Sequence, residues 1–510
     1  MPSTPEARPD SRPLVTRREA PVPASSVRVR RLPALDGVAP MDAAEAFRDV
    51  PGLALLESAR PGRMGRWTLL TADPVAVLEQ AASAVDPFAD ARLMLARLAA
   101  GEAEVEADAD DAEADDAEAG DAFADQAGDA EGGRADADDA DDADEAKADG
   151  RRRPSALPPF LGGLVGYLGY DLGRRFERLP SIARADQPLP ELRLALYDWA
   201  IAWDRRTGHA WLGGRALDGD AVRLGRRLAE VRERLASASA RSASVTSTST
   251  ASAASTSSAS SASFTAEAAL SLVSGTSQAE WVERVEAIRT AIAEGEIYQA
   301  NLTRRLETPF NEDPWPLFRR LRTGDPALFA GYIDLGRDPG TGSPRALLSA
   351  SPEPFLSVDA RGDVSTDPIK GTRQRGMTRD EDRALARELL ASRKDQAENV
   401  MIVDVLRNDL GRVCLPGSVR VPRLLRLERS ATVQHLVTTV TGRLAPGKDA
   451  FDLMAAAFPG GSITGAPKIR AMEVIERLEP VRRGPYCGTM LWLGADGRMG
   501  SSILIRTFVA

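Results

Sequence analysis

Two stretches of this chain cannot build a core, and they limit its fold more than any other feature. Gly101–Arg153 alternates Ala with Asp or Glu, and Ala236–Ser263 is almost entirely Ser, Thr and Ala. Neither carries enough apolar side chain to offset the entropy of ordering it. Both are expected as disordered inserts in surface loops, where long insertions cost little. The Pro- and Arg-rich run Met1–Arg31 reads as a mostly disordered tail. The foldable chain is then an N-terminal region, 32–235, interrupted by the acidic insert 101–153. A linker, 236–263, joins it to a C-terminal region, 264–510.

The formal charge of −10 hides an asymmetry. Residues 101–150 hold 22 Asp and Glu against Arg134 and Lys147, so that segment carries −20 and the remainder +10. A mildly basic body suits an anionic small molecule without identifying one. No stripe of interleaved basic and aromatic residues points to nucleic acid. The two cysteines, Cys414 and Cys487, are far apart, which excludes a disulfide framework and fits a reducing cytosol. No run is apolar enough for a membrane span, and the first thirty residues lack the apolar stretch of a secretory signal. A cytoplasmic location is the expectation.

The N-terminal region is rich in strand and turn signals. Leu53–Glu57 and Trp67–Leu70 read as strands, and Leu192–Trp203 reads as a strand that forms a hairpin with Ala210–Leu212. Glycines beside aromatics in Gly162–Tyr170 allow close backbone approach. In the C-terminal region Ser277 and Glu280 have the spacing of a capping box. Trp281, Val285, Ile288 and Ile292 follow at helical spacing, up to Gly295. Ile297–Leu306 alternates as a strand, and Lys394–Leu410 reads as a helix. No regular β-α alternation appears, so the class is α+β.

Several residues are able to carry chemistry. Asp395 and Glu398, three apart, share one helix face; such a pair is ordinarily a solvated acidic face, but two hard oxygen ligands there can also hold a magnesium ion, with water and substrate oxygens completing the shell. Lys370 lies in the run Asp367–Thr372, where the following Gly371 lets a ligand approach; a lysine there is usually a surface charge, but burial would make it a nucleophile. Pro459–Lys468 is a Gly-rich turn running into a helix, whose free N–H groups attract carboxylates. Arg506 ends an apolar run and needs an anion, with Tyr486 as a nearby hydroxyl donor. His435 sits between apolar residues and faces the interior or a cleft. His209 falls in a polar turn and receives no role.

These stretches together resemble the chorismate-utilising enzyme family. The matching blocks are Gly65–Pro74, Pro159–Leu172, Glu296–Arg305, Ser349–Leu356 (SASPEPFL), PIKGT, AENVMIVDVLRNDLGRVC, VQHLV, PGGSITGAPK and YCG…IRT, in one order from about Leu53 to the last residue. The resemblance implies two stacked antiparallel β-sheets with helices outside and the substrate between the halves. It implies that Lys370, where relatives making anthranilate typically carry alanine, attacks the chorismate ring. Ammonia then displaces the lysine, giving 4-amino-4-deoxychorismate on the way to 4-aminobenzoate and folate. Glu353 is implied as the general acid, Glu398 with Asp395 as Mg2+ ligands, and Tyr486 and Arg506 as ligands of the enolpyruvyl carboxylate. Gly371, His435 and Ser462 are implied to line the ring.

Asn399 stands where many relatives have histidine. Ammonia is expected from a separate glutaminase (amidotransferase) subunit, since neither cysteine lies in a nucleophile turn. A tryptophan pocket is implied around Ser58. Relatives continue beyond the position of Arg506 through a strand, a Gly-rich loop and an acidic helix, so a fragment of a longer chain is expected. The alternatives are formation of anthranilate and a non-catalytic binding subunit.

Overall fold

The computed structural model of the protein describes residues 26–57, 65–80, 86–105, 157–249, 272–324, 326–429 and 432–510. Two large sheets dominate it. The first has nine strands, in the order Thr507–Val509, Pro344–Ser351, Phe329–Arg337, Ala54–Glu57, Trp67–Thr71, Trp199–Asp204, His209–Arg215, Val27–Arg31 and Glu104–Val105. Pairing is antiparallel throughout except between the last two. The second has ten strands. Its path starts at Ile369–Gln374 and Val433–Arg443, passes Pro354–Val358 and Met499–Ile503, and ends at Ala76–Gln80. Both regions of the chain contribute strands to both sheets, so the two sequence regions form one interleaved α+β unit.

Alternation within the strands explains the stacking. Ala54, Leu69, Ala200, Ile333 and Leu347 of the first sheet meet Val165, Tyr167, Ala195, Tyr197 and Met490 of the second in one buried layer. The opposite face of the first sheet is covered by helices that include Pro314–Gly324 and Ala221–Ser249. The outer face of the second packs on Arg393–Gly411, Ala450–Ala457 and Lys468–Leu478. The layers run helix, sheet, sheet, helix. Among the described residues no helix is long and apolar enough to cross a membrane.

Several local expectations change. Val27–Arg31 is a strand inside the stretch read as tail, and its Val-Arg alternation buries Val27 and Val29. Leu192–Trp203 is not one strand. It breaks at buried Asp198 into Leu192–Tyr197 in the second sheet and Trp199–Asp204 in the first, so the chain crosses between layers there. The continuous apolar run hid that crossing, because both halves are buried. The helix Ala221–Ser249 extends into the segment read as linker, where alanine supports helix. Ile297–Leu306 yields only the two-residue strands Gln299–Ala300 and Leu306–Glu307. Most of the tail, the acidic insert beyond Val105, residues 250–271 and Ser58 lie outside the described residues.

Candidate active site

The capped helix Arg393–Gly411 and the strand Ile369–Gln374 form the floor of the site. Ser392 caps the helix by accepting from the Asp395 N–H. Gly371 in the strand has φ +78°, and a Cβ there would sit 2.9 Å from both Asp395 Cβ and Leu389 Cδ1. Glycine therefore lets strand and helix touch and brings the neighbouring Lys370 over the helix. Lys370 Nζ lies 3.2 Å from Glu398 Oε1 and donates to the Ser462 carbonyl at 3.2 Å. Its side chain is largely covered, so the amine is not a surface charge.

Glu353 enters from the second sheet, just ahead of the strand Pro354–Val358. Its backbone carbonyl accepts from the Ile503 N–H at 3.1 Å. Burial pushes its carboxyl above the ordinary range, opposed by the Lys370 charge and by a hydrogen bond with Ser462. A carboxyl raised in that way holds its proton to higher pH than an ordinary one, which suits a proton donor.

Ser462 lies in the short 3-10 turn Gly461–Ile463. Gly460 and Gly461 pack so closely that a Cβ would come within 2.9 Å of Ile503 and Val405 respectively. The following Gly465–Ala466 pairs with Gln299–Ala300, and a Cβ at Gly465 would run into the Gln299 carbonyl. The Gly-rich turn is thus glycine-rich for packing reasons on both sides. Pro467 precedes the helix Lys468–Leu478 at its N-cap.

The remaining expected residues arrange themselves unevenly around this group. His435 is half-buried on Val433–Arg443, with Nδ1 2.9 Å from Thr372 Oγ1, on the strand pair that carries Lys370. Asn399 is fully buried, accepting from Thr438 Oγ1 at 2.6 Å, so it serves to dock the helix on that strand. Asp395 accepts from Arg373 at 3.2 Å, while Glu398 faces Lys370, so the two carboxylates have different partners. Tyr486 is half-buried, and burial pushes its hydroxyl up to about 12. The Cys487 N–H donates to the Leu504 carbonyl at 2.9 Å, which places this turn beside the run leading to Arg506. Arg506 does not end a buried strand as expected. The strand stops at Ile503, and Arg506 is exposed in a left-handed turn, φ +50°, before Thr507–Val509.

Gln299 is a site residue that sequence reasoning passed over. Its Nε2 donates to Glu398 Oε1 at 3.0 Å, and its buried Oε1 has no hydrogen-bond partner. Its only signal was membership of the Glu296–Arg305 block, because reading that run as a continuous strand gave Gln299 no distinct place.

Gln299 and Glu398 open into a cleft of about 1470 Å3, bordered by Tyr298, Met401 and Lys468. A separate cavity of about 270 Å3 lies between the sheets, with Glu57, Trp67 and Met490 in its wall; Glu57 there is clasped by Arg322 at 2.7 and 2.9 Å.

Residues 102–510 match the family described as chorismate binding enzyme. The chain belongs to that family. Among its relatives are an aminodeoxychorismate synthase component 1 from Klebsiella aerogenes, 42% identical over 70% of this chain and 71% of the relative. An anthranilate synthase component 1 from Thermus thermophilus is 41% identical over the same shares of each. Among solved structures, anthranilate synthase component I from Streptococcus pneumoniae superposes with a TM-score of 0.56 at 30% identity, over 70% of this chain and 74% of that one. The menaquinone-specific isochorismate synthase MenF from Escherichia coli, 15% identical, shares the fold with a TM-score of 0.56 over 95% of this chain and 86% of its own. The chorismate-binding family thus accounts for the two stacked sheets with outer helices that the sequence implied.

Whether the site fits a magnesium ion is a question of donor chemistry. Among the described residues no group of three or more His, Cys, Asp and Glu is placed to hold a metal. Magnesium characteristically keeps several waters and takes only one or two protein carboxylates beside substrate oxygens. Glu398, which lines the cleft, fits that role; Asp395 is engaged by Arg373 and is not among the residues lining the cleft.

Proposed function

We propose that this chain aminates chorismate, forming 4-amino-4-deoxychorismate with ammonia delivered from glutamine by a partner amidotransferase subunit. The observation that carries the reading is the position of Lys370: a covered amine between Glu398 and the Ser462 carbonyl, facing a buried carboxyl that favours its protonated form. In this reading Lys370 is the nucleophile and Glu353 the acid, the pair that covalent catalysis with general-acid assistance requires.

The Lys370 lone pair forms a C–N bond to the ring, the ring double bond shifts, and the allylic C–O bond breaks. The leaving hydroxyl takes the Glu353 proton and departs as water, leaving a secondary ammonium on Lys370 and a carboxylate at Glu353. Ammonia adds at the carbon that lost oxygen, the double bond shifts back, and the Lys370–carbon bond breaks to restore the free amine. The new ammonium gives one proton to Glu353, which closes the cycle. His435, Gly371 and Ser462 line the ring in this reading, and Tyr486 with Arg506 receives the side-chain carboxylate. Glu398 would hold Mg2+, whose chemistry when bound is to neutralise and orient the ring carboxylate.

Anthranilate formation is the second reading, favoured by the similarity to relatives of that name. Incubating the chain with chorismate, magnesium and ammonium separates the two. Aminodeoxychorismate is the expected product; anthranilate without any aminodeoxychorismate would refute the assignment.

A further inference from the structure

The carbonyl that receives the Lys370 amine is itself held by a side chain to which no role has been given. Ser462 O accepts from Lys370 Nζ at 3.2 Å and from Asn301 Nδ2 at 2.6 Å. We propose that Asn301 is a positioning residue for the nucleophile: it fixes the direction of the Ser462 carbonyl and through it the place of the Lys370 amine. The proposal rests on the reading of Lys370 as the attacking amine.

Lys370 Nζ donates to Ser462 O at 3.2 Å and forms an ion pair with Glu398 Oε1, also at 3.2 Å. The hydrogen bond fixes where the nitrogen sits relative to the turn. Moving the Ser462 carbonyl displaces that nitrogen, and a misplaced near-attack geometry costs rate rather than binding. Glu398 is steadied by Gln299. The Ser462 carbonyl belongs to a turn that begins with two glycines, and it needs an external restraint.

That restraint has a rigid mount. The Asn301 N–H donates to the Thr464 carbonyl at 2.9 Å. The Asn301 carbonyl accepts from Arg483 Nη2 at 2.6 Å, and Arg483 Nη1 also donates to the Ile463 carbonyl at 2.9 Å. Arg483 is buried, pairs with Glu479 through both Nε and Nη2, and lies 4.4 Å from the Tyr170 ring centre. Glu479 reaches back to the Thr303 N–H at 2.8 Å. The backbone of Asn301 is therefore pinned independently of its side chain, and the side-chain amide is spent on the one carbonyl that Lys370 uses. Losing only that amide should leave the fold standing and disturb the amine.

The test compares the full chain with Asn301→Asp and Asn301→Leu, two near-isosteric changes that remove the donor. Steady-state formation of aminodeoxychorismate from chorismate and ammonium, with magnesium present, is measured alongside thermal unfolding. The expected result is a fall in kcat of about tenfold or more in both variants, with KM for chorismate within twofold of the parent. Parental kcat in either variant overturns the proposal. So does a rise in KM with kcat unchanged, which would mark Asn301 as a binding residue. If the parent makes no aminodeoxychorismate, the reading of the site fails instead, and the two failures cannot be confused.

Discussion

Lys370 shows how little a single residue discloses in isolation. A lysine beside glycine ordinarily reads as a surface charge, and only the PIKGT block singles it out. The structure supplies what spacing could not: the amine is covered and faces Glu398 and the Ser462 carbonyl. Replacing Lys370 with Ala should lower amination by at least about 100-fold, since it removes the amine proposed to form the covalent intermediate; product formation over time reads it. Glu353 carries a pH prediction. Its carboxyl is raised by burial, so it holds its proton past the ordinary carboxylate range, and kcat should fall as pH rises through that raised value. Glu353→Gln should cost about 10²–10⁴-fold in kcat and abolish that alkaline limb. Gly371→Ala forces a left-handed backbone and a clash with Asp395 and Leu389. A loss of about 1–3 kcal/mol in chemical denaturation is expected, together with displacement of the neighbouring amine and lower activity. Arg506 was harder to read, because the apolar run ahead of it gives no hint that the chain turns left-handed at Arg506.

Elements were legible where a local device defines them. The capping box at Ser277 and Glu280 is formed, and the helix it starts runs over Gln278–Ala293. The helix read at Lys394–Leu410 appears as Arg393–Gly411. Strands set by tertiary pairing were legible unevenly: Leu53–Glu57 and Trp67–Leu70 appear as Ala54–Glu57 and Trp67–Thr71, whereas a later one does not survive intact. The strand read over Ile297–Leu306 reduces to Leu306–Glu307, paired with Val273–Ser274, and Gln299–Ala300, paired with the Gly-rich turn. That turn leads into a helix anchored by a buried pair: Lys468 Nζ lies 2.6 Å from Asp409 Oδ2 and 2.7 Å from the Ala457 carbonyl. Burial pushes the Asp409 carboxyl up to about 6 and the Lys468 ammonium down. Lys468→Met would leave Asp409 buried without its partner. A loss of about 3–5 kcal/mol is expected in urea unfolding, and a variant as stable as the parent would show that the pair does not anchor the helix.

For the whole molecule, the class and the layering followed from the absence of β-α alternation and from the family blocks. The interleaving did not. Strands far apart in sequence share each sheet, and the crossing at Asp198 lies within one apolar run, where periodicity gives no signal. Because both regions contribute to the layer between the sheets, they should unfold together. Leu347→Ala, in that layer, is expected to cost about 2–5 kcal/mol in one transition seen alike by tryptophan fluorescence and circular dichroism. Two separated transitions would mean the regions fold as independent domains.

The central claim is that the Lys370 amine attacks the ring. The direct measurement is to mix the chain with chorismate and magnesium without ammonia and map the product by peptide mass spectrometry. A covalent adduct on the peptide carrying Lys370, of chorismate less one water and discharged by added ammonium, is the predicted result. Formation of aminodeoxychorismate by a chain that carries no such adduct, or carries it on another residue, would contradict the account.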